Sequence, residues 1–283
     1  MVDTAKKILF LTDFSDVAEN AFIYALSLAE QIKAEILIVH IVPILAPDDK
    51  RQVHPVMNLL NEQLESSELE EFEKEQERLQ QHVFVLKKEH INLRFSFLKG
   101  AFLDVITDLV ESQRIDIIVM GTSGDNTIDK QLFGSNTMNI INNVEIPVMA
   151  IPSKVKFSSV RNYSTAVMLE PGEIPLVKKI AEYLSVLGYP MNCVNIVLSP
   201  SGAALAAVKK QQWMQKVDCP NVTVDIVISD DVDKGLLDYT RNNEIDLLGL
   251  LHRDLPAVKR IFSVNHSKLL LKRSPTALLI YNK

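Results

Sequence analysis

The segment with the clearest chemical content is residues 120–137, MGTSGDNTIDKQLFGSNT. Two residues separate Gly121 from Gly124, and Gly134-Ser135 follows after nine more. Without a Cβ, backbone at these positions can come close to a phosphate. A helix starting at Ser135 would aim its free N–H groups and positive dipole end at the same anion. Ser135 and Thr137 would add hydroxyl donors. Isolated glycines also serve plain turns, so the strand-to-helix setting is what favours the anion. Asp13 is the second candidate, because it ends a predicted strand and the carboxyl ends of parallel strands line ligand crevices. Its carboxylate could accept from a ribose hydroxyl or an adenine amino group. The plainer role is a carboxylate flanking a helix start.

The elements that must position these residues follow from apolar periodicity. Residues 6–12 (KKILFLT) and 35–42 (EILIVHIV) are continuous apolar runs. Between them Ala18, Ala21, Phe22, Ala25, Leu28, Ala29 and Ile32 recur at helical spacing, with Ser15 as N-cap. Unbroken apolar strands joined by helices indicate buried parallel strands. A long polar helix is expected over 56–90, a strand over 92–98, a helix over 102–113 and a strand over 115–120. A helix over 135–143 and a strand over 147–151 complete the first half. The order then replays: strands at 165–169, 193–198, 222–228, 245–250 and 276–281, with helices at 174–187, 203–216 and 233–242 and one ending near 273. Residues 114–118 (RIDII) return at 244–248 (EIDLL), an offset of 130. A tandem duplication explains this, with the boundary near 153–162.

Composition narrows the class. The 283 residues are 47% hydrophobic and 23% charged, as in a soluble globular protein. The net charge of -6 argues against a general nucleic-acid binder. That total conceals an asymmetry: residues 1–152 hold 13 Lys+Arg against 24 Asp+Glu, and residues 153–283 hold 17 against 12. Two cysteines, Cys193 and Cys219, without local partners point to a reducing, cytoplasmic setting. The longest apolar stretch, 36–46, is broken by His40 and Pro43 and falls far below the ~20 residues of a membrane span. The six histidines lack metal-ligand spacing, and no GxSxG, P-loop or HExxH motif is present.

On these residues the chain resembles a tandem universal stress protein over essentially its whole length. The likeness rests on residues 12–15 (TDFS), 39–42 (VHIV), Met120-Gly121 through Gly124 to Gly134-Ser135, and Pro147. The spacing matches the G-2x-G-9x-G-[S/T] pattern of ATP-binding members. The resemblance implies two tandem, doubly wound, five-stranded parallel-sheet α/β domains (Rossmann-like, adenine nucleotide alpha hydrolase-like), residues 1–153 and 154–283, packed as a pseudo-dimer. It implies that Thr12 and Asp13 border the nucleoside and that Ile41 backbone meets adenine. Met120, Gly121, Gly124, Gly134, Ser135, Asn136 and Thr137 would then surround ribose and phosphates. The implied role is a regulatory or sensor protein with an unidentified protein partner; homodimerisation stays open. Ligand-dependent ordering of residues 121–137 is the expected mechanism.

The chain also departs from that pattern. Thr122-Ser123 stand between the first glycines, and Asp125 follows Gly124. A carboxylate beside a triphosphate costs about 1 kcal/mol if solvated, so AMP, ADP or Mg-bridged ATP stays open as the ligand. In the second half, Leu251 to Asp254 replace the first glycines and Phe262-Ser263 replace Gly134-Ser135. A phenylalanine there blocks close backbone approach, so nucleotide binding is expected in the first half only. Its first strand leads to Glu170-Pro171-Gly172, which leaves an acidic residue only at an offset position. Arg253, Lys259, Arg260, Lys268, Lys272 and Arg273 form a basic cluster that reads first as a solvated face and second as a different anion site. Residues 65–77 carry seven glutamates, with Leu64, Leu69, Phe72 and Leu79 as a narrow apolar stripe. Slow ATP hydrolysis or self-phosphorylation at Ser123, Ser135 or Thr137 is the rival enzymatic reading, with Asp13 or Asp125 on Mg²⁺. A ligand-free scaffold acting through the acidic helix is the third.

Overall fold

A computed structural model describes residues 6–44, 55–122, 133–157, 160–186, 188–251 and 274–281. The first half contributes β1 (Lys6–Leu11), α1 (Asp16–Ile32), β2 (Ala34–Val42), α2 (Pro55–Val85), β3 (Leu93–Lys99), α3 (Phe102–Gln113), β4 (Ile117–Thr122), α4 (Phe133–Asn143) and β5 (Val148–Pro152). The second contributes β6 (Tyr163–Ala166), α5 (Ile174–Val186), β7 (Met191–Val197), α6 (Pro200–Val217), β8 (Val222–Ile228), α7 (Val232–Asn242), β9 (Leu247–Leu251) and β10 (Ala277–Tyr281). A 3-10 turn, Pro171–Glu173, leads into α5.

All ten strands join one sheet in the order β3-β2-β1-β4-β5-β10-β9-β6-β7-β8. Within each half every pairing is parallel, and helices cover both faces. Ile8 and Phe10 belong to the core shared with α1, α2, α5 and α6. Leu9 and Leu11 face the core shared with α3, α4 and α7. Burial on both sides is why these strands read as unbroken apolar runs.

Strand register exposes the duplication. Ile8 pairs with both Ile36 and Ile117, while Tyr163 pairs with both Met191 and Leu247. The first two strands therefore repeat at an offset of 155 and the later ones at about 130. The difference falls between β2 and β3, where α2 has 31 residues against 18 in α6. The halves meet through the antiparallel pair β5–β10, in which Met149 faces Leu279. Those two residues are repeat equivalents, so a pseudo-two-fold axis passes between them, as in an isologous dimer interface.

Several expected boundaries move. Strand β4 begins at Ile117 rather than 115, because Arg114 takes a left-handed conformation and the Ile115 N–H caps α3 through Val110 O. It runs on through Thr122, so Gly121 lies inside a strand rather than in a loop, paired with Ile151. Strand β6 occupies Tyr163–Ala166, not 165–169, since Leu169 has φ +60° and turns the chain. Helix α4 starts at Phe133, two residues early. The basic cluster at 253–273 and the helix expected to end near 273 lie outside the described residues.

Candidate functional site

In each half, the first strand lies between one neighbour that continues leftward in the sheet order and one that begins the rightward run. In the first half this switch point falls between β1 and β4, whose carboxyl ends carry Thr12-Asp13 and Met120-Gly121. Ile41 lies near the end of β2, beside β1. The chain therefore brings Thr12, Asp13, Ile41, Met120 and Gly121 to one edge of the sheet. Gly134, Ser135 and Asn136 are the second to fourth residues of α4, among the positions whose N–H groups lack an intrahelical partner. Thr137 follows them and is buried, as is Met120. Gly124, Ser123 and Asp125 fall outside the described residues, as does most of the 121–137 segment assigned to ligand-dependent ordering.

The turn after β1 is fixed by its own polar groups. Thr12 Oγ1 accepts from Phe14 N–H at 3.1 Å and donates to Glu75 Oε1 at 3.1 Å. Ser15 Oγ donates to Asp13 Oδ1 at 2.6 Å and accepts from Ala18 N–H, capping α1. Asp13 thus fills the helix-flanking role, while its Oδ2 has no partner among the described residues. Phe14 sits at φ +65°, and its carbonyl accepts from the Arg78 guanidinium at 3.3 Å.

Helix α2 supplies groups that sequence reasoning passed over. Its buried stripe is Phe72, Glu75, Leu79 and Val83; Leu69, expected in that stripe, is exposed, and Leu64 is half-buried. Buried Glu75 takes the Thr12 hydroxyl and lies 2.7 Å from Arg78. Burial pushes its carboxyl up from the usual range, against the pull of Arg78 and Thr12. Arg78 also reaches Glu19 at 3.1 Å, and His82 bonds the same Glu19. His40 lies within 2.9 Å of the Thr12 carbonyl through Nδ1 and 3.1 Å of Glu68 Oε2 through Nε2. Both partners are acceptors, an arrangement that two ring N–H groups satisfy. The His40 ring stacks on Phe14, with centroids 4.1 Å apart, inside a cluster with Phe72 and Phe97. The available signal was a histidine inside an apolar strand and glutamates at helical spacing from Phe72.

Gly121 has a structural reason to lack a side chain. A Cβ there would lie 2.8 Å from Val17 Cγ1 and 2.9 Å from Val17 O, in the first turn of α1. The close approach it permits is between helix and strand. Among the described residues no group of three or more His, Cys, Asp and Glu could hold a metal ion. No helix is long and apolar enough to cross a membrane, again among the described residues.

The profile of the Universal stress protein family matches residues 4–152. The chain belongs to that family. One universal stress protein of Methanocaldococcus jannaschii is 27% identical over 151 residues, covering 53% of this chain and 84% of that protein. A second from the same organism is 28% identical over 161 residues, covering 53% and 96%. A solved universal stress protein from Archaeoglobus fulgidus covers 99% of both chains with a TM-score of 0.68 at 16% identity, which shows the same fold across both halves.

The second universal stress half keeps the turn and changes its chemistry. Val167 N–H donates to Val194 O as Thr12 N–H donates to Val39 O. Asn195 Nδ2 donates to the Val167 carbonyl at 2.7 Å, as His40 reaches that of Thr12. Leu169 at φ +60° matches Phe14 at φ +65°. Val167 and Met168 therefore stand where Thr12 and Asp13 stand, and Glu170 takes the place of Ser15. The Met168 N–H donates to the Glu173 carboxylate, so the acidic group here serves the backbone of the turn.

Proposed function

We propose that the chain is a regulatory protein that binds an adenine nucleotide in its first half only, with residues 1–153 as the binding domain and 154–283 as its altered copy. The observation that carries this is the replacement of Thr12-Asp13 by Val167-Met168 at matched backbone positions. One switch point keeps a carboxylate oxygen for a ribose or adenine donor, and the other offers apolar side chains. The first-turn N–H groups of α4 at Gly134, Ser135 and Asn136 supply an anion-facing donor set of the right type for phosphate. Gly121 contributes indirectly, by letting α1 and its Ser15-capped start close on β4. Bound nucleotide would supply a triphosphate, or a shorter phosphate chain, at that helix start. A Mg²⁺ ion would come with the nucleotide rather than from a protein cage. Occupancy would alter the surface offered to a protein partner, in a cytoplasmic setting.

Titration calorimetry with ATP, ADP and AMP, with and without Mg²⁺, tests the reading. One site per chain is expected, with the melting temperature rising with ligand; at 100 times Kd the gain is about 2.7 kcal/mol. Asp13→Ala should weaken binding and Gly134→Val abolish it, both with folding retained. Two equivalent sites, or unchanged affinity in both variants, would overturn the assignment.

A further inference from the structure

A second cavity, of about 700 Å³, opens on the pseudo-two-fold axis where the halves meet. Met149 and Leu279, the repeat equivalents that face each other across β5–β10, both line it. Helix α1 closes one side with Leu28 and Ile32, and α5 closes the other with Ile180 and Leu184. Its volume lies within the range of small-molecule pockets. It is reached from the amino end of β1, at Lys6, whereas the proposed nucleotide site lies at the carboxyl ends of β1 and β4.

The polar groups in this wall are few and neutral. Gln31 donates its amide N–H to the Val160 carbonyl at 3.5 Å, which orients the amide and leaves Oε1 buried without a partner. Thr165 donates to Tyr163 Oη at 2.6 Å, and Tyr163 in turn donates to Tyr281 Oη at 3.5 Å. The Tyr281 hydroxyl hydrogen ends this relay with no acceptor among the described residues. The wall therefore presents one acceptor and one donor inside an apolar surface. Charges stay at the rim and nearly cancel: Lys6 and Lys179 against Asp116, Glu145 and Glu182. The Lys6 ammonium is already held over the Tyr183 ring, 4.1 Å from its centroid.

We infer that this cavity is a binding site for an uncharged small molecule with a flat apolar body and one hydroxyl group. The body would lie among Leu28, Ile180, Met149 and Leu279. The hydroxyl would donate to Gln31 Oε1 or accept from Tyr281 Oη, replacing the water that ordinarily serves such groups in a polar corner. A carboxylate or ammonium group would enter a wall with no opposite charge and lose its hydration. The site rests on the seam between the halves and is independent of the nucleotide reading.

Three probes on the full chain test it: 1-naphthol, naphthalene and 1-naphthoate, each followed by titration fluorescence and thermal shift at pH 7. Naphthol should bind saturably at one site per chain and raise the melting temperature. Naphthalene should bind roughly tenfold more weakly, the effect of leaving a buried amide oxygen unpaired, and naphthoate more weakly still. Ile180→Trp should fill the cavity and remove binding. Gln31→Leu keeps the volume, so it should retain naphthalene and lose the preference for naphthol, whether or not the tryptophan variant folds. Saturating ADP should leave naphthol affinity unchanged. Absence of saturable binding to the wild-type chain overturns the inference, as does a naphthol preference that survives in Gln31→Leu.

Discussion

Replacing Gly121 by alanine separates two readings of the same residue. If Gly121 exists to admit a phosphate, the ligand-free protein should tolerate a methyl group. The geometry argues otherwise, since the added Cβ would lie 2.9 Å from Val17 O and 3.1 Å from Val17 C. Ordinary contact between such atoms is about 3.5–4.0 Å, so α1 would have to retreat by roughly half an ångström from a tightly packed strand. Overpacking of this kind costs about 1–3 kcal/mol. With about 2–4 °C lost per kcal/mol in a chain of 150–250 residues, the ligand-free melting temperature should fall by several degrees. Urea unfolding should show a lower midpoint at unchanged slope. The partner variant Val17→Ala removes the Cγ1 contact at 2.8 Å and leaves the carbonyl in place, so it should restore less than half of the loss. Unchanged stability of Gly121→Ala, with nucleotide affinity alone reduced, would refute the helix-to-strand account. Complete rescue by Val17→Ala would show that a side chain, not backbone, sets the limit.

Two further outcomes are expected. Burial, with Glu173 and Asp225 nearby, pushes the Cys193 thiol up to about 12, so a thiol-labelling reagent at pH 8 should modify half-buried Cys219 quickly and Cys193 only after denaturant is added; two fast thiols would contradict this. The Glu75 carboxyl is raised in the folded chain, so the folded state holds that proton more tightly than the unfolded state does. The stability it contributes is present below the unfolded value and lost as pH rises through the folded one. The stability of the wild type relative to Glu75→Gln should therefore decline as pH rises above the ordinary glutamate range, and a difference that grows with pH would be inconsistent with a raised carboxyl.

Much of the fold was legible because two physical signals are local. Unbroken apolar runs mark buried parallel strands, and helical spacing with Ser15 as a cap marks α1. The errors came where a left-handed residue decides the boundary. Arg114 and Leu169 carry no glycine signal, yet each turns the chain at φ of +53° and +60°, and so β4 and β6 shifted. The site was legible as a set of strand ends, since Thr12, Asp13, Ile41 and Met120 all fall at one edge. The buried polar network of His40, Glu68, Glu75 and Arg78 was hidden, because a glutamate-rich helix looks solvated until it is known which stripe meets the sheet. The cavity on the symmetry axis was equally hidden, since it depends on which strand ends lie side by side.

The β5–β10 seam also sets an order of events for the growing chain. About 125 residues separate Pro152 from Ala277. At synthesis rates of roughly 5–20 residues per second, about 6–25 s pass after β5 emerges before its partner exists. For that interval the apolar edge of β5 has unpaired backbone groups, a template open to any strand of another nascent chain. A single-domain relative would cover such an edge with a second molecule as concentration allows; here the final strand of the same chain covers it, at the end of synthesis and at a fixed stoichiometry of one.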